Sequence, residues 1–551
     1  MHTPSKNSLD FLKSHFYSLL ILILLVTITT SCQSKSPVAK KINHELKVNV
    51  ASEPATLDPR KGGDLTSSCM HFMLFEGLTR LNIDSTTEPA QAEKIDLSPD
   101  KLTYTFHIRN SKWSDGTPVT SYDFAKAWKD ILDPHFPSIN AHLLYAIKNA
   151  EAAKKGEVPL DQVGISCPDP KTLVVHLETP TPYFLQLTSF CVLFPVNRHI
   201  DRNFPDWAFN ANNHFVCNGP FKLAAWKHHS EIQLEKNPLY WNAEKVELSG
   251  VRVSMIDNEM TALQMYERGE LDILGQPFSP LPADSFIDLV RKKQLQRKPI
   301  GASTVCFFNL SQFPFNNINI RKAFALAINR ESIVKNVTQL NEPIATGIIP
   351  PVLKQNKVVH FYKDDDKTAA RAFLEKGLAE LEITAADLKE ITLTYSNSGS
   401  VGSLNHKIAQ ALQQQWLETL GVQIKMENME NKVFLDKMTK RAYNCALYLW
   451  ITQYDDQINI LDRFKSKANV KNYPGWENTT YAALLDRSAF AANNKERFEI
   501  LEQAEALMLE EMPLVPIYHW NFAYLVQPYV KNFHITTIGD VQIEKLSIGR
   551  R

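Results

Sequence analysis

The stretch FEGLTR (75–80) and the following YTFHIRNSKWSDGTPVTSYDFAKAW (104–128) decide the fold of this chain. Tyr104, Phe106 and Ile108 alternate with polar residues. Strict alternation of apolar and polar residues is typical of a strand that buries one face. The first part of this stretch therefore predicts a half-buried β-strand.

A turn and a helix are predicted directly after this strand. Asp115-Gly116 is a dipeptide that favours tight turns, and Ser121 and Asp123 are residue types that cap helix N-termini. Trp113 is expected to pack in the core and not to contact a ligand. The stretch thus predicts strand, turn and helix, and it contains no catalytic motif.

Further segments mix the two periodicities along the chain. Apolar residues recur at helical spacing in 318–337, 404–420 and 495–509, whereas residues 421–429 alternate like a strand. Strands and helices are therefore expected to be mixed along the chain.

Composition narrows the class of protein. The chain has 551 residues, of which 44% are apolar, so it can form several domains with packed cores. Lys+Arg and Asp+Glu are both 60, which gives a formal net charge of +0. Nucleic-acid binding leaves a basic patch, and no basic block is present, so a nucleic-acid partner is not expected.

The N-terminus has the pattern of a targeting segment. Residues 19–28 are apolar except for one threonine, a run that is too short to span a bilayer and has the length of a signal-peptide core. The following TTSC (29–32) resembles a bacterial lipobox, although threonine stands where leucine is usual. We predict a lipoprotein signal peptide over 1–31, lipidation of Cys32 and a polar tether over 32–44. A plain signal peptide and an uncleaved anchor are the alternatives.

The remaining cysteines are widely spaced. No CxxC motif or Cys/His pair has the spacing of zinc ligands, so no metal site is predicted. Free buried thiols are the favoured interpretation, and disulfide pairing stays open. These cysteines are Cys69, Cys167, Cys191, Cys217, Cys306 and Cys445.

Catalytic signatures are missing from the sequence. It contains no GxSxG, no HExxH and no GxxxxGK[ST] motif. An exported hydrolase is therefore disfavoured, and no cofactor is predicted. A structural or adhesion lipoprotein and a chaperone-like binder are further alternatives to a solute receptor.

Phrases along nine-tenths of the chain resemble the extracytoplasmic solute-binding proteins of family 5, which serve peptide ABC importers. The first is EPATLDP…FEGLTRL…SPDKLTYTFHIRNSKWSDGTPVT…DFAKAWKDILDP, between residues 53 and 134. Later phrases in the family's order are CNGPFKLAAW (217–226), LEKNPLYW (234–241), ALQMYERGELDI (262–273), FFNLSQFPFNNINIRKAFALAINRESIV (307–334) and MPLVPIYHWNFAYLV (512–526).

This resemblance implies a two-winged, periplasmic-binding-protein-like α/β fold of three lobes. The first lobe would combine 45–74, 205–300 and 521–551, the second would be 75–204 and the third 301–520. Ligand would bind between the first and third lobes, which close about a hinge.

The resemblance also implies the function. The chain would be a monomeric, lipid-anchored component of the cell envelope or periplasm that captures oligopeptides and delivers them to a membrane permease with ATPase subunits. It would not be an enzyme. Dipeptides, cell-wall-derived peptides and nickel complexes are the alternative cargoes.

Two segments match the parts of the family that pair with peptide through the main chain. They are Gly63-Asp64-Leu65 and Leu449-Trp450-Ile451. Main-chain pairing holds an extended peptide without reading its side chains. Tyr145 matches a tyrosine that contacts peptide in relatives, and Trp450 is also a candidate for lining a side-chain pocket.

Gln453 departs from the family pattern. It stands at the position of the aspartate in the phrase W-C-A-D-Y, which pairs with the peptide α-ammonium in oligopeptide binders. Asp455 or Asp456 is one replacement for that carboxylate, and Asp64 is another. Otherwise the ligand lacks a free α-amine at this point, as a blocked or branched peptide does.

Overall fold

The computed structural model describes residues 44–397 and 404–550. The predicted signal peptide, Cys32 and the tether up to residue 43 lie outside the described residues. Within the described ranges, every helix is too short or too polar to cross a bilayer.

Strands are distributed along the whole described chain. They are β1 (Glu45–Val50), β2 (Thr79–Leu81), β3 (Thr87–Pro89), β4 (Ala92–Leu97), β5 (Thr103–Ile108), β6 (Ile165–Asp169), β7 (Thr172–His176), β8 (Phe221–Lys227), β9 (Glu231–Lys236), β10 (Gly250–Met255), β11 (Ile273–Gly275), β12 (Gln296–Phe308), β13 (Thr392–Tyr395), β14 (Lys425–Asn428), β15 (Cys445–Ile451), β16 (Leu514–Val526), β17 (Val530–Lys531) and β18 (Ser547–Ile548).

Helices alternate with these strands. They are α1 (Leu65–Leu74), α2 (Ser121–Leu132), α3 (Ala150–Lys154), α4 (Phe184–Leu187), α5 (Arg198–Asn203), α6 (Glu259–Glu267), α7 (Phe286–Arg291), α8 (Ile318–Leu326), α9 (Arg330–Ile333), α10 (Lys367–Leu381), α11 (Leu404–Leu420), α12 (Asn431–Thr439), α13 (Ile458–Leu461), α14 (Thr479–Ser488) and α15 (Asn494–Glu511). The α/β prediction is confirmed.

The largest sheet has ten strands in the order β14-β13-β15-β12-β16-β11-β1-β10-β9-β8. Its long strands β12 and β16 pair antiparallel near the middle. Their register shifts between Pro299 and Ser303 of β12, which pair with Asn521 and His519 of β16. Three residues of β12 therefore lie opposite one residue of β16, and an irregularity of this kind bends a strand pair.

The decisive stretch folds largely as its pattern predicts. Tyr104, Phe106 and Ile108 of β5 are buried in the antiparallel sheet β4-β5-β7-β6. Trp113 is 1% exposed, so its predicted core position is confirmed. Gly116 has φ +91°, a left-handed conformation that favours glycine, and its N–H donates to the Trp113 carbonyl at 2.9 Å.

One detail of the predicted cap was wrong. Thr120 is the N-cap of α2, and Asp123 accepts a hydrogen bond from the Thr120 N–H at 2.8 Å. Ser121 is the first helical residue, and its hydroxyl donates to the Asp169 carbonyl at 2.6 Å. Ser121 therefore fixes the helix to β6, and Thr120 with Asp123 forms the capping box.

The predicted helix over 318–337 is broken in the structure. It ends at Leu326, and α9 begins after Asn329, whose side chain accepts a hydrogen bond from the Ser332 N–H at 2.7 Å. An asparagine that caps a new helix competes with continuation of the previous one. The other two predicted helices are present as α11 and α15, and the strand predicted over 421–429 is shortened to β14.

The cysteines of the described chain are free thiols, as the favoured interpretation predicted. Two are half-buried and four are buried: Cys69 and Cys167, then Cys191, Cys217, Cys306 and Cys445.

Candidate ligand-binding site

Strand β15 has an open edge in its second half. It pairs with β12 over Cys445 to Ile451, whereas the parallel strand β13 pairs only with Cys445 and Ala446. Among the described residues, 447–451 therefore have no strand on their second side. The predicted segment Leu449-Trp450-Ile451 lies on this edge, where an extended ligand can form main-chain hydrogen bonds.

The other predicted segment lies at the start of α1. Gly63 and Asp64 are exposed, and Leu65 is half-buried. The Asp64 carboxylate accepts hydrogen bonds from the N–H and the hydroxyl of Ser67, at 2.8 and 2.6 Å. Asp64 is therefore the N-cap of the helix. A Cβ on Gly63 would lie 2.2 Å from the Cδ1 of Ile139, so a glycine allows this close approach.

Asn140 connects the two predicted segments. Its Nδ2 donates to the Gly62 carbonyl at 2.9 Å, and its Oδ1 accepts a hydrogen bond from Gln453 Nε2 at 2.8 Å. Asn140 and Gln453 are 313 positions apart in the chain. The Asn140 side chain thus bridges residues that lie next to the two segments. Asn140 is buried, and the sequence did not indicate this role for it.

The surroundings of Gln453 are positively charged. Arg463 Nη2 donates to Gln453 Oε1 at 3.2 Å, and the guanidinium lies 3.5 Å from the centroid of the Trp450 ring. Lys471 Nζ donates to Asn140 Oδ1 at 3.3 Å. Burial lowers the pKa of Arg463 to about 10. Burial, with the Arg463 charge nearby, holds the pKa of Lys471 well below its usual value.

The two aspartates after Gln453 differ in their surroundings. Asp456 forms a two-pronged ion pair with Arg497, with both N–O distances 2.7 Å. Asp455 is half-buried, and burial raises its pKa to about 6, although the nearby side chains of Thr537 and Ser85 oppose this shift. Asp456 therefore has an ion-pair partner, whereas Asp455 has none among the described residues.

Tyr145, the remaining predicted contact residue, is not linked to the residues around Gln453 in the described part of the chain. It is half-buried directly after the turn at 141–144, and burial, with a contribution from the charge of Glu151, raises its pKa. In the described residues no hydrogen bond joins it to Gln453 or Asn140.

Another acidic side chain faces a small, partly open cavity of about 50 Å³ between residues 72–81 and 536–544. It is Asp540, whose carboxylate makes no hydrogen bond to the described part of the chain. Burial raises its pKa well above the usual range. The cavity holds only a few waters, so it is not the main ligand site.

Sequence reasoning missed Asn140, His142, Arg463 and Lys471. The only signal was that Arg463 follows Gln453 by ten positions in the chain. This spacing by itself does not indicate a binding motif. The structure alone brings these four residues to Gln453.

Comparison with known proteins fits this architecture. Residues 86–472 match the middle segment of the bacterial extracellular solute-binding proteins, family 5. The chain belongs to this family. It is therefore an extracytoplasmic solute-binding protein of the kind that serves transporters, and it is not an enzyme.

Individual relatives extend the match over nearly the whole chain. The oligopeptide-binding protein OppA of Bacillus subtilis is 39% identical over 500 residues, which cover 90% of this chain and 91% of OppA. The Haemophilus influenzae OppA complex with RPPGFSPFR has a TM-score of 0.81 at 25% identity and covers 92% of this chain and 99% of its own.

Two structures of the murein tripeptide-binding protein MppA, one of them from Escherichia coli, are similar to this chain, both at 25% identity. One has a TM-score of 0.83 and covers 93% of this chain and 99% of its own. The other, an unliganded open form, has a TM-score of 0.71 and covers 93% and 98%.

Proposed function

We propose that this protein captures oligopeptides along the open edge of β15 and delivers them to the permease of an ABC importer. The observation that carries the proposal is the edge at 447–451, which ends beside Gln453 and the Asn140 amide. An extended peptide placed there would form main-chain hydrogen bonds with β15, which accounts for affinity without side-chain recognition. The relatives include an oligopeptide-binding protein and a murein tripeptide-binding protein, which supports a peptide as the cargo.

The arrangement of the chain supports capture by closure. In this proposal the first lobe comprises 45–74, 205–300 and 521–551, the second 75–204 and the third 301–520. The register shift at Pro299–Ser303 lies at the proposed boundary, where a bent strand pair can act as a hinge. Lys407 Nζ lies 3.2 Å from Asp284 Oδ1 and so joins the proposed third and first lobes. The higher TM-score to one MppA structure than to its open form is in line with a closed arrangement.

Binding through the main chain has a sharp test. Calorimetry on protein that has been unfolded and refolded to remove bound ligand should show saturable binding of neutral tripeptides to pentapeptides. Methylation of one peptide nitrogen removes a main-chain donor and should weaken binding by about tenfold or more at the paired positions. Exchange of a single neutral side chain should change affinity far less. Saturable binding that is insensitive to N-methylation at every position would refute the proposal.

Membrane attachment through Cys32 is the second part of the proposal. Cells that express the chain should incorporate labelled fatty acid into it and retain it in the membrane fraction. Cys32→Ala should abolish both the label and the retention, whereas Cys69→Ala, a matched control, should change neither. A chain that stays membrane-bound and unlabelled with Cys32 intact would contradict lipid anchoring.

A further inference from the structure

Two cations beside Gln453 have no acidic partner. Arg463 is 7% exposed and Lys471 is half-buried. Neither forms an ion pair with an aspartate or glutamate of the described chain. Four other buried cations of the described chain contact a carboxylate, namely Arg60, Arg330, Lys354 and Arg497, whereas the buried Arg321 donates to main-chain carbonyls.

The polar contacts of these two cations are with neutral oxygens only. Arg463 Nη2 donates to Gln453 Oε1 and to Asn459 Oδ1, at 3.2 and 3.1 Å, and Nε donates to the Asn459 carbonyl at 2.8 Å. Its Nη1 has no hydrogen-bond partner among the described residues. Lys471 Nζ has one such bond, to Asn140 at 3.3 Å. Several donor hydrogens of the Arg463 guanidinium and the Lys471 amine are therefore left over.

Two neutral side chains accompany them. Trp450 lies under the Arg463 guanidinium, and its indole Nε1 is a buried donor without a partner in the described chain. The His142 imidazole contacts Gln453 and the Ile139 carbonyl. Burial, with the charges of Lys471 and Arg463, holds the pKa of His142 well below its usual value, so this imidazole is neutral.

This set of groups disfavours an ammonium and favours an anion. Removing a cation from water without a counter-charge costs several kcal/mol, and two like charges add to that cost. Gln453 offers little to an ammonium, since its oxygen already accepts from Arg463 and its nitrogen donates to Asn140. A carboxylate would receive charged hydrogen bonds, and a guanidinium edge matches its planar geometry.

We propose that Arg463 and Lys471, with Gln453 and Asn140 around them, form a subsite that binds a carboxylate of the cargo. The inference rests on the proposed function, because it places the subsite at the end of the peptide-binding edge of β15. The carboxylate belongs either to the C-terminus of the peptide or to an acidic group attached at its other end. Both present the same chemistry to the two cations.

One neutral tripeptide in four forms tests the proposal by calorimetry on the purified, ligand-stripped protein. The forms are unmodified, C-terminally amidated, N-acetylated and N-succinylated. A loss of about tenfold or more on amidation identifies the peptide's own C-terminal carboxylate as the occupant. A gain of about tenfold or more for the succinyl over the acetyl form identifies an acidic group at the other end.

Substitutions assign the preference to the subsite. Arg463→Met should reduce the discrimination between the acidic and neutral forms to less than about threefold. Lys467→Met is the matched control, since Lys467 is 55% exposed, pairs with Glu477 and lies between the two cations in sequence. It should keep the full discrimination.

A second variant covers the case in which Arg463→Met does not fold. Gln453→Asp places a carboxylate of the protein next to Arg463 and should raise the melting temperature while it removes the preference for acidic peptides. Peptides that bind without any preference for a carboxylate overturn the subsite and leave the proposed function intact. A preference that persists in Arg463→Met or Gln453→Asp also overturns it. Absence of binding by all four forms overturns the proposed function itself.

Discussion

Replacing Arg497 with methionine removes one partner of the ion pair that holds the loop after β15. The pair is two-pronged, with both distances to Asp456 at 2.7 Å, and its side chains are 6% and 11% exposed. Asp456 also accepts a hydrogen bond from the Ile458 N–H at 2.9 Å. The pair therefore connects α15 to the start of α13, next to Gln453.

The structure sets the size of the expected effect. Breaking a buried ion pair leaves a charge without its partner in a low-dielectric site and costs about 3–5 kcal/mol. A body of about 500 ordered residues has an unfolding entropy of roughly 1 kcal/mol per kelvin near 60 °C. If the body unfolds in one step, the melting temperature should fall by about 3–5 °C.

A double-mutant cycle measures the interaction itself. Arg497→Met and Asp456→Asn should each be strongly destabilising in urea unfolding followed by tryptophan fluorescence. The double variant should lose clearly less than the sum of the two, because neither charge is then left alone. Scanning calorimetry at equal protein concentration provides the melting temperatures.

Two results would refute this reasoning. Single losses below about 1 kcal/mol that add up in the double variant would mean that the pair behaves like one exposed to solvent. Loss of peptide binding in Asp456→Asn at unchanged stability would make Asp456 a ligand anchor, which is the role the sequence left open for it.

Other outcomes follow from single positions. Trp113→Ala should lower the free energy of unfolding by about 3–5 kcal/mol without changing peptide affinity, as urea unfolding and calorimetry can check, since the indole is 1% exposed. Asp455→Asn should stabilise the protein more at pH 8 than at pH 4.5, by about 1–3 kcal/mol at the higher pH. The folded-state pKa of Asp455 is raised to about 6. The stability that the protonated carboxyl contributes to the folded wild-type protein is therefore lost as pH rises through that value. Gly301→Ala should lower the melting temperature, because the new Cβ would lie 2.2 Å from Thr452 Oγ1, and adding Thr452→Ala should recover part of the loss.

Local patterns predicted the elements that depend on neighbours in sequence. The alternation at Tyr104, Phe106 and Ile108 was sufficient for β5, because one buried face imposes period two. The helix over 318–337 was too long, because apolar spacing continues past the point where Asn329 caps a new helix. Periodicity reports the buried face and not the hydrogen bonds that interrupt a helix.

The chemistry of the site depended on contacts that no local pattern carries. Gln453 was singled out in the sequence as a departure from the family pattern, but the sign of the charge around it comes from Arg463 and Lys471. Lys471 reaches Gln453 through Asn140, which is 331 positions away in the chain. Asp456 looked equivalent to Asp455 in sequence, and only the fold supplies Arg497 to one of them.

The order of strands in the ten-stranded sheet has a consequence for how the chain is made. Strand β16 lies between β11 and β12, yet its residues Leu514–Val526 follow all the other strands of this sheet in the chain. Until β16 has been synthesised, β11 lacks a neighbouring strand on one side, and so does β12. Unpaired edges are prone to join the edges of other chains. The polypeptide therefore has to be kept apart from its copies until residue 526 has been made, and shortening it before residue 514 should yield aggregates instead of a smaller folded protein.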